Sequence, residues 1–504
     1  MTLAPVNDDG IADAASLLGR VAERYPDREA FVDGANRLSF AGWERSADAV
    51  AAHLEELGVG RGDVVSLVMG SSIDFAVCYQ AAMRLGAVTS AVNPRLGPRE
   101  VASIFERTWP RVTVLDGAVA ALPEGVPDGA VVGRDVLAGW RAGGGRPERR
   151  PRLGQNDPVA IVWTSGTTGV PKGAVFDHGC LRAMAEGAGV LSAPGDRRLS
   201  ATPFAHVGYM TRPWDELANV VTTVIMPTPW KAADHLRLIA REAVTVGQGV
   251  PTQWQLVLDH PDLAATDTSS LRITSTGASR VPAELVRAMR RAFGVPVVVR
   301  YTSTEASLST GTAVDDDDEV VATTVGRAAP NVELQVLDEA GAPVADGAVG
   351  EVVVRSRAAM RRYWEDPERT AEVIDAAGFV HTGDLGRLDT RGNLVLVGRR
   401  VEMYIRGGYN VYPTEVENVL SEHPGVARVA VMGLADPVLG HIGGAAIVAR
   451  DAAHPPTLDE LRAWCQARLA NYKAPDRLLV VEDLPVNAMA KIEKRTVLGW
   501  FPPT

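Results

Sequence analysis

The sequence predicts an α/β fold in which a large N-terminal region of doubly wound sheets precedes a smaller C-terminal domain. Three observations support this prediction: a length of 504 residues, an alternation of strand and helix patterns in the first third, and a compositional joint near Gly398. At about 150 residues per domain, the length allows roughly two to four domains. Alternating strands and helices are typical of parallel sheets that helices cover on both faces.

The predicted elements of the first third follow one another in a regular order. Residues 46–57 have a helical pattern that Gly58 ends, and residues 63–69 form a run rich in β-formers. Residues 71–85 predict a second helix, because the serines at its start can cap the first turn. Residues 111–115 predict the next strand, so the order is that of parallel α/β units.

The predicted elements after the joint near Gly398 are fewer and belong to a tail of about a hundred residues, the right size for a small domain. They are a helix over 411–420, strands over 426–432 and 444–449, and a helix over 458–469.

Composition and charge exclude several classes of protein. Hydrophobic residues make up 46% of the chain, too many for a disordered protein. The net charge of −11 disfavours a nucleic-acid binder, which needs a surplus of lysine and arginine. The three cysteines, Cys78, Cys180 and Cys465, form no CxxC pair, so we expect neither a disulfide scaffold nor a cysteine zinc site. With no leader pattern and no long apolar stretch, we expect a cytoplasmic protein without a membrane span.

The strongest chemical signal is WTSGTTGVPKG at residues 163–173, directly after the apolar run 159–162. Its glycines let backbone N–H groups close around an anion, its hydroxyls donate to phosphate oxygens, and Lys172 supplies a positive charge. It is not a Walker A loop, because it has no GK[ST] sequence. The loop therefore predicts a phosphate site; a mobile surface turn is the structural alternative.

This loop resembles the phosphate loop of the adenylate-forming superfamily, which contains acyl-CoA synthetases, peptide-synthetase adenylation domains and beetle luciferases. Six further segments resemble the superfamily's other motifs in the same order, so the resemblance covers nearly the whole chain. They are PFAHVG (203–208), TGAS (276–279), YTSTE (301–305), GFVHTGD (378–384), GR with GGYNVYP (398–399 and 407–413), and LPVNAMAKI (484–492).

The resemblance implies a domain division that the alternation pattern alone does not give. It implies an N-terminal AMP-binding domain over 1–401 with a β-barrel-like portion, and a mobile α+β C-terminal lid over 402–504. The hinge would be Glu402, where Asp or Lys is more usual. Rotation there would bring Gly407 and Gly408 towards the active site, where small residues would flank a narrow channel for the CoA thiol.

The reaction implied by the resemblance suits the chemistry of carboxylic acids. A carboxylate is a poor electrophile, and esterification to AMP supplies a stabilised leaving group, so the enzyme must position anions and neutralise charge. The implied activity uses ATP and Mg²⁺ to make an acyl-adenylate and transfers the acyl group to coenzyme A. Two alternatives stay open here: transfer to a carrier-protein thiol in trans or to another nucleophile, and a non-catalytic nucleotide sensor. The oligomeric state also stays open, a homodimer included.

The nucleotide-binding residues implied by the resemblance come from several motifs. Asp384 would accept hydrogen bonds from both ribose hydroxyls, Arg399 would add a cation, and Tyr301 would stack on adenine. A turn aspartate and a core tyrosine are the structural alternatives for Asp384 and Tyr301. The full predicted set is Thr164, Ser165, Gly166, Thr167, Thr168, Gly169, Lys172, Gly277, Ala278, Ser279, Tyr301, Thr302, Asp384 and Arg399.

The predicted catalytic residues are Lys491, Glu305, Thr304 and His206. Glu305 would hold Mg²⁺, with a strand-end salt bridge as the alternative, and Thr304 would contact the α-phosphate. Lys491 would reach the α-phosphate and the carboxylate during adenylation, although Ala490 stands where a glycine is usual. Thr302, in place of the glycine at the second position of the Y-G-x-T-E motif, adds bulk near the substrate.

The predicted acyl pocket points to a compact acid. Val207 occupies the place of the aspartate that pairs with the amino group in amino-acid-activating relatives, so an α-amino acid is disfavoured. His206 would act as a gate or as a packing residue, and the polar segment after it favours a compact aromatic or partly polar acid. An equal alternative is that Arg212 pairs with Asp215 or Glu216 on a solvated face. The predicted lining is His206, Tyr209, Trp214, Gly249, Gly277, Tyr301 and Leu308.

Overall fold

The computed structural model describes residues 3–116, 131–164, 171–277, 281–486 and 492–502. Within these ranges the chain forms strands in four sheets. The strands are β1 (Glu29–Asp33), β2 (Asn36–Ser39), β3 (Val64–Val68), β4 (Val88–Val92), β5 (Val112–Leu115), β6 (Val131–Gly133), β7 (Pro158–Thr164), β8 (Lys172–Asp177), β9 (Arg197–Ser200), β10 (Thr222–Ile225), β11 (Val246–Gln248), β12 (Ile273–Gly277), β13 (Val297–Ser303), β14 (Ser307–Gly311), β15 (Arg327–Ala328), β16 (Val332–Leu337), β17 (Gly350–Ser356), β18 (Arg362–Tyr363), β19 (Val380–Leu388), β20 (Leu394–Arg399), β21 (Tyr404–Arg406), β22 (Tyr409–Val411), β23 (Val426–Asp436), β24 (Gly440–Ala449) and β25 (Arg477–Val480).

The helices of the described residues lie between these strands, mostly in the alternation that the sequence predicts. They are α1 (Ala14–Arg24), α2 (Phe40–Glu56), α3 (Ile73–Arg84), α4 (Pro98–Thr108), α5 (Arg134–Gly143), α6 (His178–Ala188), α7 (Val207–Met210), α8 (Pro213–Ala218), α9 (Ala232–Arg241), α10 (Pro251–Leu258), α11 (Ala283–Phe293), α12 (Asp318–Thr323), α13 (Pro367–Val373), α14 (Pro413–Ser421), α15 (Leu458–Gln466) and α16 (Lys494–Leu498).

Two large sheets form the N-terminal region. The nine-stranded sheet has the order β15-β14-β13-β12-β11-β9-β10-β1-β2, and the run from β13 to β1 is parallel. The seven-stranded sheet has the order β18-β8-β7-β4-β3-β5-β6, with a parallel run from β7 to β6. Every residue of β3 and β4 is buried, as expected for strands that helices cover on both faces. The predicted α/β class with doubly wound sheets is confirmed.

A smaller antiparallel sheet and a separate C-terminal sheet complete the fold. Strands β16-β17-β19-β20 form a four-stranded antiparallel sheet, where the resemblance implies a β-barrel-like portion. The C-terminal sheet has the order β22-β21-β24-β23, and β25 pairs with β24. Val411, Val416 and Leu461 contribute to a core of its own. The smaller α+β domain is thereby confirmed, whereas the division at 401/402 stays a prediction.

The predicted helix over 411–420 begins later than the pattern suggests. Tyr409–Val411 forms β22, which pairs with β21, and the helix runs from Pro413 to Ser421. A proline starts a helix readily because the first helical N–H groups have no partner within the helix. The hairpin hydrogen bonds therefore keep Val411 in the strand.

Candidate active site

Asp384 is the centre of the first polar network. The register of β19 and β20 places Asp384 opposite Arg399. Arg399 Nε donates to Asp384 Oδ1 at 2.9 Å, and Tyr301 Oη donates to Asp384 Oδ2 at 2.6 Å. The Asp384 charge raises the pKa of Arg399, and burial raises the pKa of Tyr301 well above its usual value. Asp384 is thus an oriented carboxylate, and Tyr301 is a protonated donor.

The contact between Tyr301 and Asp384 was not predicted from the sequence. Both residues were identified from separate motifs, and β13 and β19 belong to different sheets. The hydroxyl of Tyr301 therefore has a structural partner inside the site, while stacking of its ring on adenine stays a prediction.

A second network joins Glu305 to the end of the phosphate loop. Tyr363 Oη donates to Glu305 Oε1 at 2.8 Å, and Lys172 Nζ lies 5.4 Å from the centre of the Tyr363 ring. Tyr363 reaches this position because β18 pairs with β8, the strand that Lys172 begins. Within the described ranges no cation forms an ion pair with Glu305, so its environment differs from the strand-end salt bridge that was the alternative.

Tyr363 is a candidate site residue that the sequence analysis missed. It lies 58 positions from Glu305 in the chain, in no segment that resembles a superfamily motif. Only the pairing of β18 with β8 brings its hydroxyl to the carboxylate.

The two networks adjoin because Tyr301 and Glu305 lie four residues apart at the end of β13. Thr302 and Thr304, between them, are half-buried. In the other large sheet, the antiparallel register places Thr164 opposite Lys172, so the two ends of the predicted phosphate loop meet. The structure therefore brings predicted residues of four motifs to connected positions.

Several predicted residues lie outside the described part of the chain: Ser165, Gly166, Thr167, Thr168, Gly169, Ala278, Ser279 and Lys491. Gly277, which ends β12, has a clear physical reason to be glycine. A Cβ there would lie 2.3 Å from the backbone oxygen of Arg300 on the neighbouring strand.

The residues of the site are compatible with a Mg²⁺ ion that the phosphates of the nucleotide would hold together with one protein carboxylate. Among the described residues no group of three or more His, Cys, Asp or Glu side chains has the arrangement of a metal site. Magnesium in nucleotide enzymes is commonly bound by one or two carboxylates together with substrate phosphates, and Glu305 supplies one carboxylate. When bound, the ion would neutralise phosphate charge.

The predicted hinge residue Glu402 ends a short 3₁₀ turn over Arg400–Glu402. Its Oε2 accepts a hydrogen bond from Lys494 Nζ at 2.7 Å, and the same Nζ lies 2.8 Å from Glu417 Oε1. Gly407 and Gly408 have φ of 57° and 89°, a left-handed conformation that favours glycine. The hinge and channel roles stay predictions.

The predicted acyl-pocket residues have different surroundings. His206 is half-buried, and its Nδ1 accepts from the N–H of Gly208. Tyr209 is buried and stacks on Phe204, with ring centres 3.5 Å apart. Leu308 is buried in a cluster with residues of α6.

Two further residues of the predicted lining, Gly249 and Trp214, have surroundings that involve a buried indole. A Cβ at Gly249 would lie 3.1 Å from Trp254 Nε1, so this glycine leaves room for a buried indole. Trp214 corrects the prediction: its ring is fully buried and its Nε1 donates to Asp8 Oδ2 at 2.7 Å. The Trp214 side chain is directed at the N-terminal segment, so it does not border an open pocket.

The alternative was that Arg212 pairs with an acidic neighbour on a solvated face. It is right about the ion pair and wrong about the exposure of the side chains. Arg212 and Asp215 are 3.1 Å apart, and both side chains are buried. Arg198 also pairs with Asp215 at 3.1 Å and lies 3.7 Å from Glu216. Burial raises the pKa of Glu216 to about 7 and lowers that of Arg212 to about 10. The polar residues of this segment therefore form an internal ion cluster.

Comparison with known proteins agrees with this geometry. Residues 18–364 match the family model described as AMP-binding enzyme, and residues 415–491 match the AMP-binding enzyme C-terminal domain. The (7a-methyl-1,5-dioxo-octahydro-1H-inden-4-yl)propanoyl:CoA ligase of Rhodococcus jostii is 34% identical over 96% of this chain and 97% of the relative. Indoleacetate–CoA ligase of Aromatoleum aromaticum is 32% identical over 95% and 94%. ATP-bound MatB from Rhodopseudomonas palustris has a TM-score of 0.86 at 29% identity, over 96% and 98%.

The chain belongs to the AMP-binding enzyme family, within the adenylate-forming superfamily. It is an AMP-forming acyl-CoA synthetase: it uses ATP and Mg²⁺ to activate a carboxylic acid and transfers the acyl group to coenzyme A. Transfer to a carrier protein is not favoured. In the described part of the chain, no helix has the length and apolar character needed to span a bilayer.

Proposed function

We propose that this synthetase activates a compact aromatic or partly polar carboxylic acid and converts it into its CoA thioester. The observation that carries the proposal is that Tyr209 stacks on Phe204 in the buried core behind His206, which leaves a short wall of partly exposed residues for the predicted acyl pocket, His206, Gly249 and Gly277. Indoleacetate–CoA ligase acts on an aromatic acid by its name, and the named acyl group of the Rhodococcus ligase carries two ketones on a ring system. Both acids are compact and contain rings.

The arrangement of the nucleotide side supports specific roles. Asp384, with its Oδ atoms held by Tyr301 and Arg399, is oriented to accept from ribose hydroxyls. Lys172 would place positive charge on the departing pyrophosphate, and Glu305 would hold the metal. With these roles, positive charge lies where the substrate carboxylate and the triphosphate of ATP meet, so it offsets the repulsion between the two anions.

The role of Lys491 belongs to the proposal. We assign it to the adenylation step, in which its ammonium group would approach both the attacking carboxylate and the α-phosphate. Rotation about Glu402 would then withdraw Lys491 and bring Gly407 and Gly408 to the thiol path. In this scheme one small domain serves two half-reactions.

The proposal includes the cellular setting. Cys78, Cys180 and Cys465 are free and buried, and burial raises their thiol pKa values, which suits structural packing in a reducing compartment. We therefore place the enzyme in the cytoplasm, with a small carboxylic acid and CoA as its partners.

The test is a panel of acids supplied to the purified protein with ATP and Mg²⁺, with and without CoA. We expect pyrophosphate release with benzoate-sized and ring-bearing acids and acyl-CoA formation only when CoA is present. A preference for palmitate over benzoate-sized acids would overturn the substrate proposal. Acyl transfer to a candidate carrier protein in preference to CoA would overturn the acceptor.

Lys491→Ala tests the division of labour between the half-reactions. We expect adenylation to fall by orders of magnitude, while thioester formation from a supplied acyl-adenylate is largely kept. Arg495→Ala, four residues away in the same domain, is the matched control. Equal loss in both half-reactions would contradict the assigned role.

A further inference from the structure

Arg107 lies on α4, and its guanidinium contacts one residue near each end of the predicted phosphate loop. Its Nη2 donates to the carbonyl oxygen of Pro171 at 2.5 Å, directly before Lys172. The carbon of the guanidinium lies 4.9 Å from the centre of the Trp163 ring, near the start of the loop. One side chain from outside the loop therefore joins the two ends of this segment.

The Trp163 ring is held in place by contacts of its own. Its Nε1 donates to Ser90 Oγ on the neighbouring strand β4 at 3.0 Å. A Cβ at Gly173 would lie 3.0 Å from two atoms of the ring, so this glycine leaves room for the indole. A guanidinium stacks favourably on an aromatic face through cation–π attraction. Arg107 thus contacts a surface whose position is already fixed by the sheet.

A second tryptophan connects the end of α4 to the strand that follows the loop. The backbone N–H of Trp364 donates to the carbonyl oxygen of Gly173 at 2.7 Å. Trp364 Nε1 donates to the carbonyl oxygen of Arg107 at 3.1 Å. Trp364 directly follows Tyr363, whose hydroxyl donates to Glu305. Arg107 is therefore connected to the segment that brings Tyr363 to the candidate metal carboxylate.

In the described part of the chain, no carboxylate forms an ion pair with Arg107. Its other hydrogen bonds go to Ser103, one turn earlier in α4: Nε donates to the carbonyl oxygen at 3.0 Å, and Nη2 donates to Oγ at 3.3 Å. Burial lowers the pKa of this half-buried arginine, and the charge of Arg369 adds to the effect. Partial removal of a charge from water costs free energy that hydrogen bonds must offset. The Pro171 carbonyl and the Trp163 ring contribute to that offset, so the guanidinium is stabilised where it joins the loop ends.

We propose that Arg107 is a positioning residue of the adenylation step, which holds the two ends of the predicted phosphate loop at the separation that binding of the β- and γ-phosphates of ATP requires. The inference rests on the proposed function, in which Lys172 places positive charge on the departing pyrophosphate. Arg107 acts through Pro171 and Trp163 and does not itself contact the nucleotide. Fixing both ends before ATP binds lowers the entropy cost of binding.

The test compares ATP with AMP, because only ATP has the phosphates that the loop would bind. With the best acid of the panel, we expect Arg107→Met to raise KM for ATP in adenylation about tenfold, with a smaller change in kcat, as loss of a hydrogen bond from a charged group implies. The affinity for AMP, measured by calorimetry, should be unchanged. Thioester formation from a supplied acyl-adenylate should keep its wild-type rate, since that step uses no pyrophosphate.

Three further variants separate positioning from folding. Arg107→Lys keeps a cation that can donate to the Pro171 carbonyl, so it should recover part of the loss in KM. Arg99→Met removes an exposed arginine from the same helix and should leave KM for ATP unchanged. Lys172→Ala removes the positive charge of the loop itself and should raise KM for ATP at least as much as Arg107→Met.

The outcomes distinguish this inference from the proposed function. An unchanged KM for ATP in Arg107→Met, or an equal loss of affinity for ATP and AMP, would overturn the role of Arg107 while acid activation stands. No recovery in Arg107→Lys would show that the hydrogen bond to Pro171 is not the cause and would also overturn it. An unchanged KM for ATP in Lys172→Ala, or a wild-type protein that forms no AMP with any acid, would instead overturn the proposed function.

Discussion

Arg300 and Tyr301 are neighbours on one strand, yet their side chains have opposite surroundings. Tyr301 donates to Asp384, whose other oxygen receives Arg399, so this side of the site is satisfied by the protein itself. Arg300 points to the other face and, among the described residues, has no acceptor. We call the Tyr301 face the nucleotide side and the Arg300 face the acyl side, as the proposed function assigns them.

The difference shows how one active site can treat two kinds of substrate: the nucleotide, which is always the same, and the acid, which it must select. The nucleotide is the same in every turnover, so oriented groups can be held ready by protein contacts, which avoids reorganisation during the reaction. On the acyl side, Arg300 Nε is buried and makes no hydrogen bond to any described residue, so protein contacts do not satisfy this face in the same way. Discrimination is strongest when a wrong acid leaves a buried polar group unpaired.

The largest expected effect comes from removing the centre of the nucleotide side. Asp384→Ala deletes the acceptor for two ribose hydroxyls and leaves Tyr301 and Arg399 without their shared partner. At about 2 kcal/mol for each hydrogen bond to a charged group, we expect a loss of about 1,000-fold in kcat/KM for ATP. The measurement is AMP formation at varied ATP, with Asp346→Ala, an exposed loop residue, as control. A loss below tenfold would show that Asp384 does not bind ribose.

The second effect concerns the ion cluster of the acyl side. Glu216 has a pKa raised to about 7 by burial, so folding favours its protonated form. The resulting stability is fully present below the ordinary pKa near 4.5 and is lost as pH rises through about 7. We expect up to about 3 kcal/mol of this pH dependence to disappear in Glu216→Gln. Urea unfolding at pH 5 and pH 8 measures it, and exposed Glu339→Gln is the control; identical profiles for wild type and Glu216→Gln would contradict the raised pKa.

The third effect tests the glycine beneath Arg300. Gly311→Ala places a methyl group where the guanidinium lies, and the arginine must move because the end of its side chain is flexible. We expect this overpacking to lower the free energy of unfolding by about 2 kcal/mol, which urea unfolding measures. The control Gly139→Ala meets open space. An unchanged free energy of unfolding would mean that the guanidinium does not lie across Gly311.

The smallest expected effect concerns the hydrogen bond from Tyr363 to Glu305 on the nucleotide side. Tyr363→Phe keeps the ring beside Lys172 and removes only the hydroxyl that donates to Glu305. At about 1.5 kcal/mol for that hydrogen bond, we expect adenylation to fall roughly tenfold, with more Mg²⁺ needed for half-maximal rate. Tyr25→Phe, which removes an exposed hydroxyl, is the control. An unaltered Mg²⁺ dependence would argue against a positioning role for Tyr363.

The active-site motifs could be located from the sequence because each carries its chemistry in a short segment. Thr164, Lys172, Glu305 and Asp384 were identified in this way, and the structure brings them to connected positions. Trp214 shows the limit of such reasoning. Its spacing after His206 suggested a pocket wall, but the direction of its side chain depends on the packing of α8 against α1, which a local pattern does not contain.

The order of buried and polar residues along the chain determined the α/β class, the small C-terminal domain and the positions of the motifs, because strands, helices and phosphate loops are encoded locally. Only the tertiary structure decided that Tyr363 donates to Glu305, that Tyr301 donates to Asp384, and that Arg300 lies between two glycines with an Nε that bonds to no described residue. Those relations join residues far apart in sequence. Their energies depend on which groups face one another after water has been removed.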